Sequence, residues 1–567
     1  MRKTKVVLAK VLTAAMVISS FAGVQGITSE AAAKPKLSKK SVSITVGKTK
    51  KITVKKAKKY KVSWKMKSKK IASFKKSGKY AVKVKAKKAG KTTLTATIKK
   101  GKKTKKLVCK ITVKKNSPKV TKTPVNTPTT SPSNVPKTTE VPTVKPTATA
   151  TAEPQDTTPA MKEIFKGVID NVGTCLTYNQ TWNNRKEMQD VSTMEFVDKN
   201  FNSFTLENEM KPDSMLNKHN MISVADAKAK GYVISDDYKE STVPELTLET
   251  IDGVLAIAKQ HNIRMRAHTL MWHQQTPEWF FKENYDDNGS VVDEATMNAR
   301  LEFFVRTIMR HTMQKEKELT GEVGSIVYAW DVLNEYIHRS NAAAATTWVS
   351  VYGDMGLKPT YVKAAFEYAY DELEKEKVQD KVTLFYNDYD TYFSVDDELA
   401  LISYINEGEK AKICGGIGMQ SHVDIKRPTL EEYGNALKAF INAGLEVQIT
   451  ELDITINFDT DDTDGRTPSY GYKNEKETDA DQAAFTKDFI KQIVDIQKNR
   501  DMTVSPKGIT GITVWGISDQ TSWRGSCKPL FFTRKNVRVK DETTGKYKTV
   551  YTYVPKKSYE AMIEALK

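Results

Sequence analysis

At 567 residues the chain is too long for one ordinary domain, and its 39% hydrophobic content supplies material for at least one large core. Its formal charge of +22 is uneven: residues 34–115 hold 33 Lys and no Asp or Glu, whereas residues 116–567 carry a net −14. A cationic module joined to an acidic one argues against a nucleic-acid enzyme, and four Cys at 109, 175, 414 and 527 are too scattered for a disulfide framework or a metal knuckle.

The first residues read as a secretory signal. Arg2, Lys3, Lys5 and Lys10 precede an apolar run from Val11 to Val24 and the small residues Ala31, Ala32 and Ala33. Residues 1–33 are therefore expected to be removed, leaving a secreted chain; retention at the cell surface is left open. The apolar run is shorter than the ~20 residues a spanning helix needs, so no membrane span is expected.

Residues 34–115 alternate apolar and polar side chains in short stretches such as SVSITV, KITVKK, YKVSWKM and TTLTATI. Period-two patterning at this spacing predicts a small all-β sandwich. Through the stretch KIASFKKSGKYAVKVKAKKAGKTTLTATI the segment resembles the bacterial immunoglobulin-like domains appended to surface enzymes. Its lysines either keep a spacer soluble or answer a polyanionic counterpart, an acidic cell-wall polymer first and acidic groups on a polysaccharide substrate second. Residues 116–158 are rich in Thr, Pro, Ser and Val and too poor in large apolar side chains to fold, so they read as an extended linker.

From residue 159 onward apolar strands alternate with amphipathic helices. Eight strands are expected: 173–179, 202–208, 263–269, 325–335, 381–388, 415–422, 445–453 and 511–518. Eight such units predict a (β/α)8 TIM barrel of the α/β class over residues 159–567, with residues 211–244 and 533–554 as long loops. An open doubly wound sheet is disfavoured because no Gly-rich phosphate loop follows the first strand.

In a TIM barrel the polar residues at the C-terminal ends of the strands face the site. Here those ends read ENEMK, AHTLMWHQQTPEW, WDVLNE, FYNDY, IGMQSH, ITELDI and WGISDQTSW. Two carboxylates stand out, Glu335 after the fourth strand and Glu451 in the seventh. A glycosidic bond is cut by a proton donor to the leaving oxygen working with a carboxylate at the anomeric carbon, and two Glu on one barrel supply both.

These seven motifs, in order and one per strand from the second to the eighth, resemble glycoside hydrolase family 10, the xylanase family. The resemblance implies retaining endo-hydrolysis of β-1,4-xylosidic linkages in xylan, with Glu335 as acid/base and Glu451 as nucleophile. It places Asn334 at the sugar 2-hydroxyl, His422 and Asp453 as partners of Glu451, and Gln420, Asn387 and Tyr389 around the pair. Glu207, Asn208 and Lys211 are expected at a second sugar site on the non-reducing side, His268, Trp272 and Gln275 at the first. Trp515 and Trp523 are expected to roof the site and to crowd a C5 hydroxymethyl, favouring xylose over glucose. Neither a metal nor a cofactor is called for: His268 and His273 lack a third ligand at a supporting spacing. Two departures stand out: Tyr336 where the family often has a small residue, and a long tail after Trp523. A glucan-cutting enzyme and a non-catalytic polysaccharide-binding barrel are the competing readings, the second weakened because both carboxylates are present.

Overall fold

The computed structural model describes residues 35–39, 41–55, 57, 60–100, 103–114, 158–180, 185–339, 343–457, 477–540 and 547–567. The expected signal, 1–33, and the linker up to residue 157 lie outside the described residues. The chain divides into two compact units, Met1–Ala148 and Thr149–Lys567.

The first unit is a two-sheet β-sandwich. One sheet has the strand order Lys36–Leu37, Thr49–Lys55, Ala81–Ala86, Ala72–Gly78; the other runs Ser41–Thr45, Lys103–Lys114, Gly90–Lys100, Lys61–Met66. Alternation decides what faces where. In Ala81–Ala86 the valines point inward while Lys83 and Lys85 are exposed, and Ile52, Val82, Val84, Leu94, Cys109 and Ile111 fill the interior. A narrow apolar core is thus wrapped in a lysine coat.

The second unit is the expected barrel. Its strands are β1 (Asn171–Leu176), β2 (Ser203–Leu206), β3 (Arg264–Trp272), β4 (Val327–Asn334), β5 (Thr383–Asp388), β6 (Gly416–Met419), β7 (Glu446–Thr455) and β8 (Ile509–Val514). Each pairs in parallel with the next, and β8 returns to β1, closing the sheet. All eight expected strands are present, with only their ends displaced. Helices cover the outside, several opened by the signals their sequences carry. Asp190 and Asp293 accept from the backbone N–H three residues on, and Thr429 with Glu432 and Thr478 with Asp481 form capping boxes.

The barrel interior carries a buried ion pair. Arg266 is fully buried, donates to Asp331 through Nε (3.2 Å) and Nη2, and donates to Gln448 through Nη1 (2.7 Å). Room for it comes from Gly418, where a Cβ would fall 2.7 Å from the Arg266 guanidinium and 2.3 Å from Asn387 Oδ1. Any larger residue there would displace both.

The two stretches expected as loops are folded. Residues 211–244 contain strand Leu216–Ser223, helix Val224–Ala229 and the start of strand Thr242–Leu246, which pairs antiparallel with the first. The described residues of 533–554 belong to the antiparallel pair Phe532–Lys540 and Tyr547–Pro555. Their Lys, Thr and Tyr hide how the hairpin is anchored at its base: Tyr553 packs 4.3 Å from Phe196 and its hydroxyl meets Thr193 Oγ1 at 3.0 Å, while Lys535 to Lys540 are exposed.

Candidate active site

Glu335 follows the last residue of β4. Its backbone is left-handed (φ 58°) and its N–H donates to Asn387 O at 2.8 Å. A non-glycine residue held there is costly, and here the bond to β5 helps fix it. The turn aims the carboxylate into the barrel mouth. Trp272 Nε1 (2.8 Å) and Gln274 Nε2 (3.2 Å) donate to one oxygen, Gln420 Nε2 (3.0 Å) and Asn334 Nδ2 (3.3 Å) to the other.

Glu451 stands in β7. Asn387 Nδ2 donates to its Oε1 at 2.9 Å, and His422 Nε2 lies 3.2 Å from its Oε2. The other imidazole nitrogen of His422 meets Asp453 Oδ2 at 2.9 Å. Strand alternation sends Glu451 and Asp453 to one side, so a single imidazole bridges both. Trp523 Nε1 (3.0 Å) and Arg524 Nη1 (3.2 Å) complete the shell of Asp453.

The two carboxylates share a scaffold. Asn387 Nδ2 donates to both Asn334 Oδ1 and Glu451 Oε1, each at 2.9 Å, and Thr450 Oγ1 fixes the Asn387 amide from behind at 2.6 Å. Gln420 bridges Asn334 and Glu335 from the other side. Every one of these side chains is buried.

Their proton affinities are driven apart. Burial, with Asp388 as the next contribution, pushes Glu335 up to about 7 in spite of its donors. Burial also acts to raise Glu451, but the His422 hydrogen bond and the charges of His268, His422 and Lys211 reverse it and hold the carboxylate at about 2. Burial works against the His422 cation, yet Asp453 and Glu451 raise it to about 9. Between pH 3 and 6 one glutamate therefore keeps its proton while the other is ionised, a division suited to an acid beside a nucleophile.

The surrounding residues line a cleft. Glu207 accepts from Arg185 Nη1 (2.7 Å) and Gln180 Nε2 (3.1 Å), Asn208 Oδ1 accepts from Lys211 Nζ (3.2 Å), and that ammonium lies 4.6 Å over the Trp272 ring. His268 is held by Asp331 Oδ2 at 2.9 Å. Trp515 is buried, edge-on to both His268 (5.9 Å) and His422 (6.3 Å), whereas Trp523 is 40% exposed and packs on His422 at 4.9 Å. Tyr389 packs against His338 with the rings tilted and 4.2 Å apart, and Tyr336, the unusual neighbour of Glu335, is buried with its hydroxyl on Gly356 O.

Two adjacent glutamines part company: Gln274 reaches Glu335, while Gln275 donates to Asp213 at 3.3 Å. Gln274, Asp388, Arg185 and Arg524 are the functional neighbours that sequence reasoning missed. Asp388 and Gln274 lay inside motifs already singled out; nothing in the sequence marked Arg185. Beside the site His338, Asp388 and Glu398 form a cluster in which burial and the neighbouring Asp388 push the Glu398 carboxyl well up.

Comparison with known proteins agrees with this geometry. The family model described as glycosyl hydrolase family 10 matches residues 160–551. Endo-1,4-beta-xylanase A of Butyrivibrio fibrisolvens is 41% identical over 352 residues, 62% of this chain and 76% of that protein. Endo-1,4-beta-xylanase A of Thermotoga maritima is 29% identical over 386 residues, 67% of this chain but only 30% of its own length. Among solved structures, modules of a Clostridium thermocellum endo-1,4-beta-D-xylanase complexed with xylohexaose superpose with a TM-score of 0.51 at 27% identity, covering 71% of this chain and 67% of that one. With a closed barrel, two buried glutamates of opposite protonation and a family model covering the whole of that site, the chain belongs to glycosyl hydrolase family 10.

Proposed function

We propose that the chain is an endo-1,4-β-xylanase acting by double displacement, with Glu335 as acid/base and Glu451 as nucleophile. The observation that carries this reading is the split between the two glutamates, one at about 7 and one at about 2, across a shared Asn387 and Gln420 network. In the first step Glu451 attacks the anomeric carbon while the Glu335 proton passes to the departing oxygen, leaving a glycosyl ester on Glu451. That ester carries no charge. One of the contributions that raised Glu335 is thereby removed, so its carboxylate, having given up its proton, stays ionised and serves as the base that takes a proton from the water attacking the ester in the second step.

The neighbours fit this cycle. Asn334 sits where it can hold the 2-hydroxyl, and His422, kept cationic by Asp453, stabilises the ionised Glu451 before attack. Trp515 supports a xylose preference, because its ring is fixed edge-on to two imidazoles and has little freedom to yield to a C5 hydroxymethyl. The reading is tested by reducing-sugar release from xylan against carboxymethyl cellulose, with Trp515→Ala expected to narrow the difference. Early product of inverted anomeric configuration, seen by NMR, would sink the retaining assignment.

The basic sandwich suits an acidic cell-wall polymer or acidic groups on xylan, and residues 1–33 suit export, which puts the enzyme where both occur. Among the described residues no helix is long and apolar enough to cross a membrane.

A further inference from the structure

On the side of the cleft where Glu207 lies, a cavity of about 650 Å³ continues outward from Glu207 and Trp523. Its far wall is Arg534 and Tyr551, contributed by the hairpin that the sequence presented as a loop. Most charges lining it are already committed. Arg185 is bound to Glu187 and Glu207 at 2.9 and 2.7 Å, and Asp190 Oδ1 caps its helix through Thr193 N and accepts from Ser192 Oγ.

Arg534 is different. Its guanidinium lies 4.5 Å over the Tyr551 ring, its backbone N–H is spent on Gln520, and its Nε is buried with no hydrogen-bond partner among the described residues. Among the described residues no carboxylate pairs with it. The two hairpin strands carry Arg534, Lys535, Arg538, Lys540 and Lys548 and no Asp or Glu, so the cavity's carboxylates, Glu187, Asp190 and Glu207, all lie away from the hairpin wall. A half-buried guanidinium without an anion is costly, and its planar fork matches a carboxylate. Tyr551 and the exposed Trp523 add ring faces against which a pyranose can pack.

We propose that this cavity is a subsite for a uronic-acid branch on the xylan chain, with Arg534 binding the branch carboxylate on the side of the cleaved bond held by Glu207. The inference deepens the xylanase reading and rests on it. It predicts an enzyme that accepts, and gains from, an acidic substituent at a position where a neutral one gains nothing.

The test uses the full chain and two purified xylo-oligosaccharides of equal main-chain length, one unbranched and one carrying a single glucuronosyl branch near its non-reducing end. Arg534→Gln should lower the ratio of kcat/KM on the branched to the unbranched substrate about tenfold at low salt, equivalent to about 1.4 kcal/mol. Arg534→Lys, which keeps the charge and loses the fork, should fall between. Raising salt should shrink the wild-type preference, since the contact is partly open to solvent. A ratio identical in wild type and both variants, with the unbranched substrate still cut, overturns the subsite alone. Equal loss on both substrates in Arg534→Gln but not in Arg534→Lys overturns it too, by assigning Arg534 a structural role. Failure of the wild type to cut the unbranched oligosaccharide overturns the xylanase reading itself.

Discussion

Replacing His422 by Gln tests the electrostatic core of the mechanism. Holding Glu451 at about 2 instead of the ordinary 4.5 corresponds to roughly 3 kcal/mol in favour of its ionised form. His422 supplies the leading favourable contribution, a hydrogen bond from Nε2, and adds its charge. Gln can restore one hydrogen bond but not the cation. About half the effect should therefore be lost, carrying Glu451 up by about one pH unit or slightly more. The sign follows from the role: the nucleophile must be ionised, its folded value is depressed, and activity falls as pH drops through that value. The acid limb of kcat/KM on an aryl β-xylobioside should move from about 2 to between about 3 and 4. The alkaline limb, set by Glu335 near 7, should stay in place because Glu451 is ionised there in both proteins. Initial rates after brief jumps from pH 6 separate titration from acid unfolding. An acid limb that does not move, with only the amplitude reduced, would show that His422 works by position alone.

The two glutamates should fail differently. Glu335→Ala should recover part of its activity on substrates with acidic phenol leaving groups, which need no protonation, while Glu451→Ala should not; equal rescue of both in a burst assay would contradict the assignment. Glu335→Gln should stabilise the fold at pH 8 by up to about 3 kcal/mol and not at pH 4, because burying an ionised Glu335 costs stability that appears as pH rises through about 7; melting curves at the two pH values check this. The full chain should pellet with purified acidic cell walls at low salt and release steeply as salt rises, whereas salt-indifferent retention would remove electrostatics as the cause.

The barrel was legible because its strands are apolar runs bounded by polar ends, and burial enforces that pattern on both faces. The hairpin Phe532–Lys540 and Tyr547–Pro555 was not, because a surface strand alternates Lys and Thr with Tyr and Val and has no run to display. The carboxylate pair was legible from residue type and place. What could not be read was direction: the left-handed turn at Glu335, and the choice of Gln274 over Gln275 to meet it, depend on backbone angles that neighbouring identical residues do not encode. Arg185 and Arg524 were invisible for another reason, since each acts on a partner more than twenty residues away in the chain.

Asp331 accepts at once from Arg266 inside the barrel and from His268 in the wall of the cleft. One carboxylate thus belongs to two structures that in many enzymes can come apart separately. Loosening the His268 wall therefore also disturbs the buried ion pair of the cylinder beneath it. Thermal inactivation and global melting should therefore trace one curve, and a chemist seeking a hardier catalyst gains nothing by bracing this wall. The exposed outer ends of the hairpin strands, where Val537, Val539 and Tyr547 face solvent, are where the protein can be altered at least risk to the rest.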